Sequence, residues 1–117
     1  MRRKPGTLIP LEVAILAAGL ELGNTGEVEF HGFQLAKELR DRGSERGLTA
    51  HGTLYKALDR MERAGLLQSR WEDPRVAADQ GRPRRRLYRV TGDGERTFAR
   101  LNLDRAEATA IWMGEPA

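Results

Sequence analysis

Thr49-Ala50-His51-Gly52-Thr53-Leu54-Tyr55-Lys56-Ala57-Leu58-Asp59-Arg60-Met61-Glu62-Arg63-Ala64-Gly65 is the stretch on which the fold turns. Thr49 is suited to cap a helix, because its hydroxyl accepts from an unpaired N–H two or three residues on. Leu54, Ala57, Leu58 and Met61 recur at helical spacing, and Gly65 closes the helix. The opposite face carries His51, Thr53, Lys56, Arg60 and Arg63. Two segments rich in strand formers follow. In 67–71, Leu67, Ser69 and Trp71 alternate with Gln68 and Arg70; in 87–90, Tyr88 and Val90 share a face. The two segments make a hairpin, in which Trp71 reads more often as a strand residue packed on the core than as a functional one. Residues 72–86 between the strands are long and polar, with Pro74, Gly81 and Pro83, and are expected to form a mobile loop.

Outward from this unit the chain is helical. A first helix is expected over 10–22, since proline is tolerated in a first turn. Leu8, Leu11, Ile15, Ala18 and Leu22 form one stripe, while Val13, Leu16 and Leu20 fill much of the other side. A helix apolar on most faces is buried on most faces, which in so small a domain predicts cover by a second subunit. Gly23-Asn24-Thr25-Gly26 reads as a turn and Val28-Glu29-Phe30 as a short edge strand. A second helix over 32–42 places Gly32, Leu35, Ala36 and Leu39 together; it ends near Gly43, before a polar break at 44–47. Thr91 caps the last helix, with Asp93 and Glu95 in the first turn, where the helix dipole favours acids. Phe98, Leu101, Ala108 and Trp112 lie along one stripe of it, broken by Arg105. The order is helix, helix, helix, hairpin, helix: mainly α with a small β-hairpin, a winged helix-turn-helix. Residues 1–91 are expected to make the winged helix-turn-helix part and 92–117 a C-terminal dimerisation helix of the same unit.

Composition bounds the function more weakly than position does. The chain has 117 residues, enough for one domain, and 20 Lys and Arg against 17 Asp and Glu leave a formal charge of only +3. That balance alone does not imply nucleic acid. Distribution is more telling, because Arg82, Arg84, Arg85, Arg86 and Arg89 crowd together and the chain opens Arg2-Arg3-Lys4. The absence of cysteine removes disulfides, thiolate metal sites and cysteine nucleophiles, and points to the reducing cytosol. Pro10 and Glu12 interrupt the N-terminal apolar run, so no signal peptide is expected. No run approaches the roughly 20 apolar residues of a membrane span. A cytoplasmic protein without a membrane contact is the expectation.

An α-helix fits the major groove of B-DNA, with its N-terminal residues at the base edges and phosphates. Thr49, Ala50 and Gly52 are small enough to let the third helix approach a phosphate through free N–H groups. His51, Thr53 and Lys56 belong to its groove face, Lys56 reaching guanine acceptors or phosphate, and Arg60 follows on the same polar side. Arg82, Arg84, Arg85 and Arg86 sit in or beside a loop able to meet a minor groove, where negative potential concentrates; the plainer reading is a solvated charged hairpin. His31 and His51 are the two histidines, and with no cysteine they complete no metal set. His31 reads as a helix-start residue. Gly81-Arg82-Pro83 is not a phosphate loop, because no Gly-Lys-Ser/Thr follows. No cofactor and no catalytic constellation is expected, so an enzyme is the weakest reading. Trp112, near the chain end, is more naturally an interface anchor than a core residue.

The run His31-Gly32-Phe33-Gln34-Leu35, then Gly52-Thr53-Leu54-Tyr55-Lys56-Ala57-Leu58 and Glu62-Arg63-Ala64-Gly65-Leu66, resembles PadR-type transcriptional regulators. So does Gly81-Arg82-Pro83 leading into Arg85-Arg86-Leu87-Tyr88-Arg89-Val90-Thr91 and Gly94. The likeness covers roughly residues 9–101. Two features depart from the pattern: the turn over 23–29 is longer than usual, and the wing carries an extra basic residue at Arg84. The single C-terminal helix resembles the short form of the family. The resemblance implies a homodimer, a double-stranded DNA operator and repression, relieved in some members by a small ligand. It implies that Tyr55 meets the DNA backbone, against a plainer role in packing at the helix edge. It further implies an apolar space between subunits for a small aromatic effector, lined by Leu11, Ile15, Leu101, Ala108 and Trp112. Operators of such dimers are expected to be pseudo-palindromic. A winged-helix protein-interaction module without DNA binding is the alternative.

Overall fold

A computed structural model describes residues 8–41 and 51–112. The expected cap Thr49, the basic start Arg2-Arg3-Lys4, the break at 44–47 and the side chains of His51, Arg105, Ala108 and Trp112 lie outside the described residues. The elements run α1 (Pro10–Asn24), α2 (Gly32–Asp41), α3 (His51–Arg63), β1 (Leu67–Trp71), α4 (Pro74–Asp79), β2 (Arg86–Val90) and α5 (Gly92–Trp112).

Helix α1 starts at an extended Ile9 with Pro10 in its first turn. The Glu12 carboxylate accepts the Ile9 N–H at 3.1 Å, half of a reciprocal capping box. Its far end closes by paired bonds, Gly26 N–H to Gly23 O and Glu27 N–H to Leu22 O, the arrangement that satisfies the last carbonyls of a helix. The same closure ends α3, with Gly65 N–H on Glu62 O and Leu66 N–H on Met61 O. Gly65 sits there at φ +81°, a conformation costly for any residue with a Cβ. Thr91 joins this turn to α5. Its hydroxyl donates to Gly65 O at 2.6 Å and accepts from Gly94 N–H at 3.0 Å, the expected N-cap.

Strands β1 and β2 are antiparallel, with Leu67 opposite Val90, Ser69 opposite Tyr88 and Trp71 opposite Arg86. The expected edge strand at 28–30 reduces to one bridge. Phe30 exchanges both backbone hydrogen bonds with Tyr88, at 2.9 and 2.8 Å. Phe30 is fully buried and stacks on the Tyr88 ring with centroids 6.4 Å apart, so packing rather than strand length holds it. Next to it, Glu29 accepts twice from Arg70 at 2.7 Å, tying the α1–α2 connection to β1.

The core gathers Ile15, Leu16, Phe30, Leu35, Leu39, Leu58, Met61 and Leu67 between α1, α2, α3 and the hairpin. This corrects one expectation. Ile15 is 0% exposed and Leu11 is buried within a single chain, so neither can line a space between subunits. The most apolar stripe of α1 is spent on its own domain, and only flanking positions such as Val13, Ala17 and Leu20 stay partly open. On α5, Phe98 packs against the core while Leu103 is 67% exposed.

Candidate nucleic-acid interface

Amphipathic spacing orients α3. Leu54, Ala57, Leu58 and Met61 are buried, which turns Gly52, Thr53, Tyr55, Lys56, Asp59, Arg60 and Arg63 outward. Those outward residues differ in what they do. Arg63 pairs with Asp59 one turn away at 3.1 Å, a surface contact of small energetic weight. Tyr55 leans over the start of α2: a Cβ built on Gly32 would overlap its hydroxyl. That close approach explains glycine at position 32 and locks the tyrosine against the neighbouring helix.

Arg60, expected on the DNA face, stands on the outward side of α3 but is engaged in an ion pair there. Its Nε donates at 2.9 Å to Oε2 of Glu12, which is 2% exposed. A carboxylate that deep requires a countercharge. Arg60 supplies one, and its role in the structure is to join α3 to the first turn of α1.

The wing is also divided. Residues 72–86 were expected to be a mobile loop; they contain the helix α4 instead. Asp73 accepts the Arg75 N–H at 2.8 Å as N-cap, and Pro74 takes the first turn. Gly81 at φ +66° closes the helix, with Gly81 N–H on Ala78 O and Arg82 N–H on Ala77 O. A bidentate clasp shuts the segment. Arg82 Nη1 and Nη2 donate to the two Glu72 oxygens at 2.6 and 2.8 Å, and its Nε donates to Gln80. The Arg82 hydrogen bonds, helped by the Arg85 N–H, hold the Glu72 carboxyl down at about 2, against a smaller opposing effect of burial. Arg82, expected to meet DNA, is thus a structural residue of the wing.

Arg84 and Arg86 lie on the other side of the ribbon. Each guanidinium carbon sits 5.4 Å from the centroid of the Trp71 ring. Trp71 is 52% exposed, so its assignment to the core is corrected. The alternation is right, since Trp71 shares a face with Leu67 and Ser69, but the hairpin extends past the helices that cover that face. Arg86 Nη2 approaches Glu62 Oε1 at 3.6 Å, and the second Glu62 oxygen accepts from Ser69 at 2.6 Å. Arg85 remains half-buried near His31. Burial, and then the charges of Arg85 and Arg82, push the His31 imidazole below its ordinary value. Its Nδ1 accepts the Gln34 N–H at 3.3 Å, so the neutral ring carries its proton on Nε2. His31 caps α2, as its place before Gly32 implied.

The arrangement is therefore a polar helix face beside a cationic ribbon face. A family model for the transcriptional regulator PadR-like family matches residues 22–100. The chain belongs to the PadR-like family of transcriptional regulators. Three solved structures resemble this PadR-like chain. One is a PadR family transcription regulator from hypervirulent Clostridium difficile R20291, with a TM-score of 0.68 and 23% identity over 86% of this chain and 92% of that one. A transcriptional regulator from Clostridium thermocellum gives 0.65 and 20% over 92% and 90%. A PadR family transcriptional regulator from Eggerthella lenta DSM 2243 gives 0.61 and 24% over 86% and 78%. At these identities the likeness establishes a shared winged-helix fold. No curated protein is similar to this PadR-like chain in sequence. Among its described residues no cluster of His, Asp and Glu suits a metal ion, and no helix is long and apolar enough to cross a membrane.

Proposed function

We propose that the chain is a cytoplasmic, sequence-specific DNA-binding regulator that acts as a homodimeric repressor on a pseudo-palindromic operator. The observation that carries this reading is the adjacency of two surfaces. The outward face of α3 presents Gly52, Thr53, Tyr55 and Lys56, and the wing beside it presents Arg84 and Arg86 on one side and Arg85 on the other. Small residues let the helix enter a major groove, and the wing cations suit the flanking phosphates or minor groove. The sequence adds Thr49 and His51 at the helix start. Arg60 and Arg82 are left out of direct contact, because Arg60 is held at 2.9 Å by the buried Glu12 and Arg82 by the bidentate clasp on Glu72, whereas Arg86 stands 3.6 Å from its nearest carboxylate oxygen.

The dimer is proposed to form through α5, where Leu103 stands exposed and Leu101 half-buried. Any small aromatic effector would sit between the α5 helices, since Leu11 and Ile15 are core residues. Selection of bound fragments from random duplex DNA tests the reading: recovered sites with two-fold symmetry and half-sites about one helical turn apart support it. Recovery of no preferred sequence, with capture of a protein partner that Lys56→Ala disrupts, would favour the protein-interaction alternative.

A further inference from the structure

We propose that Trp71 is a positioning residue of the wing: its indole ring holds Arg84 and Arg86 pre-ordered for DNA phosphates. The inference rests on the DNA-binding reading above and assigns a role within that surface to a residue whose own packing explains little of its presence.

A tryptophan at the end of a hairpin, half open to water, buries too little to stabilise the core. What it does contact is charged. Arg86 is its direct cross-strand partner. Arg84, two residues before Arg86, comes to the same ring, and both guanidinium carbons lie 5.4 Å from its centroid. These separations are within cation–π range, and tryptophan is the strongest side chain for that contact. A stacked guanidinium uses its flat face on the ring, while its N–H donors radiate in the plane and stay available to a phosphate. The stack and the phosphate contact are therefore compatible.

Free arginine side chains lose rotamer freedom when they bind. A ring that already restricts two of them removes part of that loss before DNA arrives. Glu62 adds a second restraint on Arg86, whose guanidinium approaches the α3 carboxylate at 3.6 Å as well as the ring. Because Glu62 is on α3, the restraint also fixes the wing cation relative to the recognition helix.

The test compares Trp71→Ala and Trp71→Phe with the full chain, using a fluorescein-labelled mixed-sequence DNA duplex at low salt and NMR of the arginine side chains. In the free protein the Arg84 and Arg86 Hδ resonances are expected upfield, shifted by the indole ring, and to lose that shift in Trp71→Ala. Duplex affinity is expected to fall about 5- to 10-fold in Trp71→Ala. Trp71→Phe is expected to keep it within about two-fold, since a phenyl ring also supports the contact. In an Arg84→Ala/Arg86→Ala background, Trp71→Ala should have no further effect. Undiminished affinity of Trp71→Ala, or an equal loss persisting without the two arginines, would overturn the proposal; the latter would make Trp71 a DNA contact itself. If the unaltered chain fails to bind duplex, the DNA-binding reading falls and this inference with it.

Discussion

Replacing Arg60 by methionine separates a structural arginine from a DNA-contacting one. Methionine keeps most of the apolar stem and removes the charge. Glu12 is 2% exposed, so the carboxylate left behind cannot be rehydrated without opening the junction of α1 and α3. Breaking a fully buried pair in this way costs about 3–5 kcal/mol. Two features of the site reduce the figure. The Arg60 side chain is 42% exposed, and Glu12 keeps its other interactions, among them the Ile9 N–H at the positive end of α1. A loss of about 2–3 kcal/mol is expected, which lowers the melting temperature of a domain this size by roughly 8–15 °C. Urea denaturation followed by circular dichroism measures it, with Glu12→Gln and the double variant completing a cycle. The double variant should recover most of the loss, giving a coupling above about 1 kcal/mol. The salt slope of duplex binding should stay that of the unaltered chain. A stability cost below about 0.5 kcal/mol, the level of an exposed pair, together with a shallower salt slope, would refute the argument and return Arg60 to the DNA face.

Two further outcomes follow from single residues. Gly65→Ala is expected to cost about 1 kcal/mol by chemical denaturation, because the site has open space around a Cβ but a φ of +81°. His31 makes stability depend on pH. Its folded value is depressed by burial and by Arg85 and Arg82, so its contribution is complete above the ordinary 6.5 and is lost as pH falls from there through the lower folded value. The urea midpoint should drop between about pH 7.5 and 5.5, and much less so in His31→Asn, where the amide caps α2 at any pH. Glu72, held at about 2, stays ionised through that window, so the Arg82 clasp does not contribute to the change.

Much of the fold was legible because its signals are local. Thr91, Gly65 and the spacing of Leu54, Leu58 and Met61 each act within a turn or two of chain. Helix α4 was missed although its punctuation stood in the sequence: Asp73-Pro74 as cap and first turn, Gly81 as stop. Six residues with one buried side chain, Ala77, show no apolar period to go with that punctuation. The site was less legible. Arg60 and Glu12 are 48 positions apart, and nothing local pairs them. Arg82 looked like its neighbours in an arginine cluster, and only the return of the chain to Glu72 distinguishes it. Trp71 shows the limit of periodicity, which assigns a face but not how far along the strand the core extends.

On the proposed reading, the α3 face and the wing hold DNA together. The most direct measurement is duplex affinity as a function of salt, for the unaltered chain and for Lys56→Ala. If about four to six phosphates are neutralised per dimer, log K falls against log salt with a slope near −4 to −5. Removing Lys56 as a phosphate contact should reduce that slope by about one per subunit. A slope near zero for the unaltered chain would contradict the central claim.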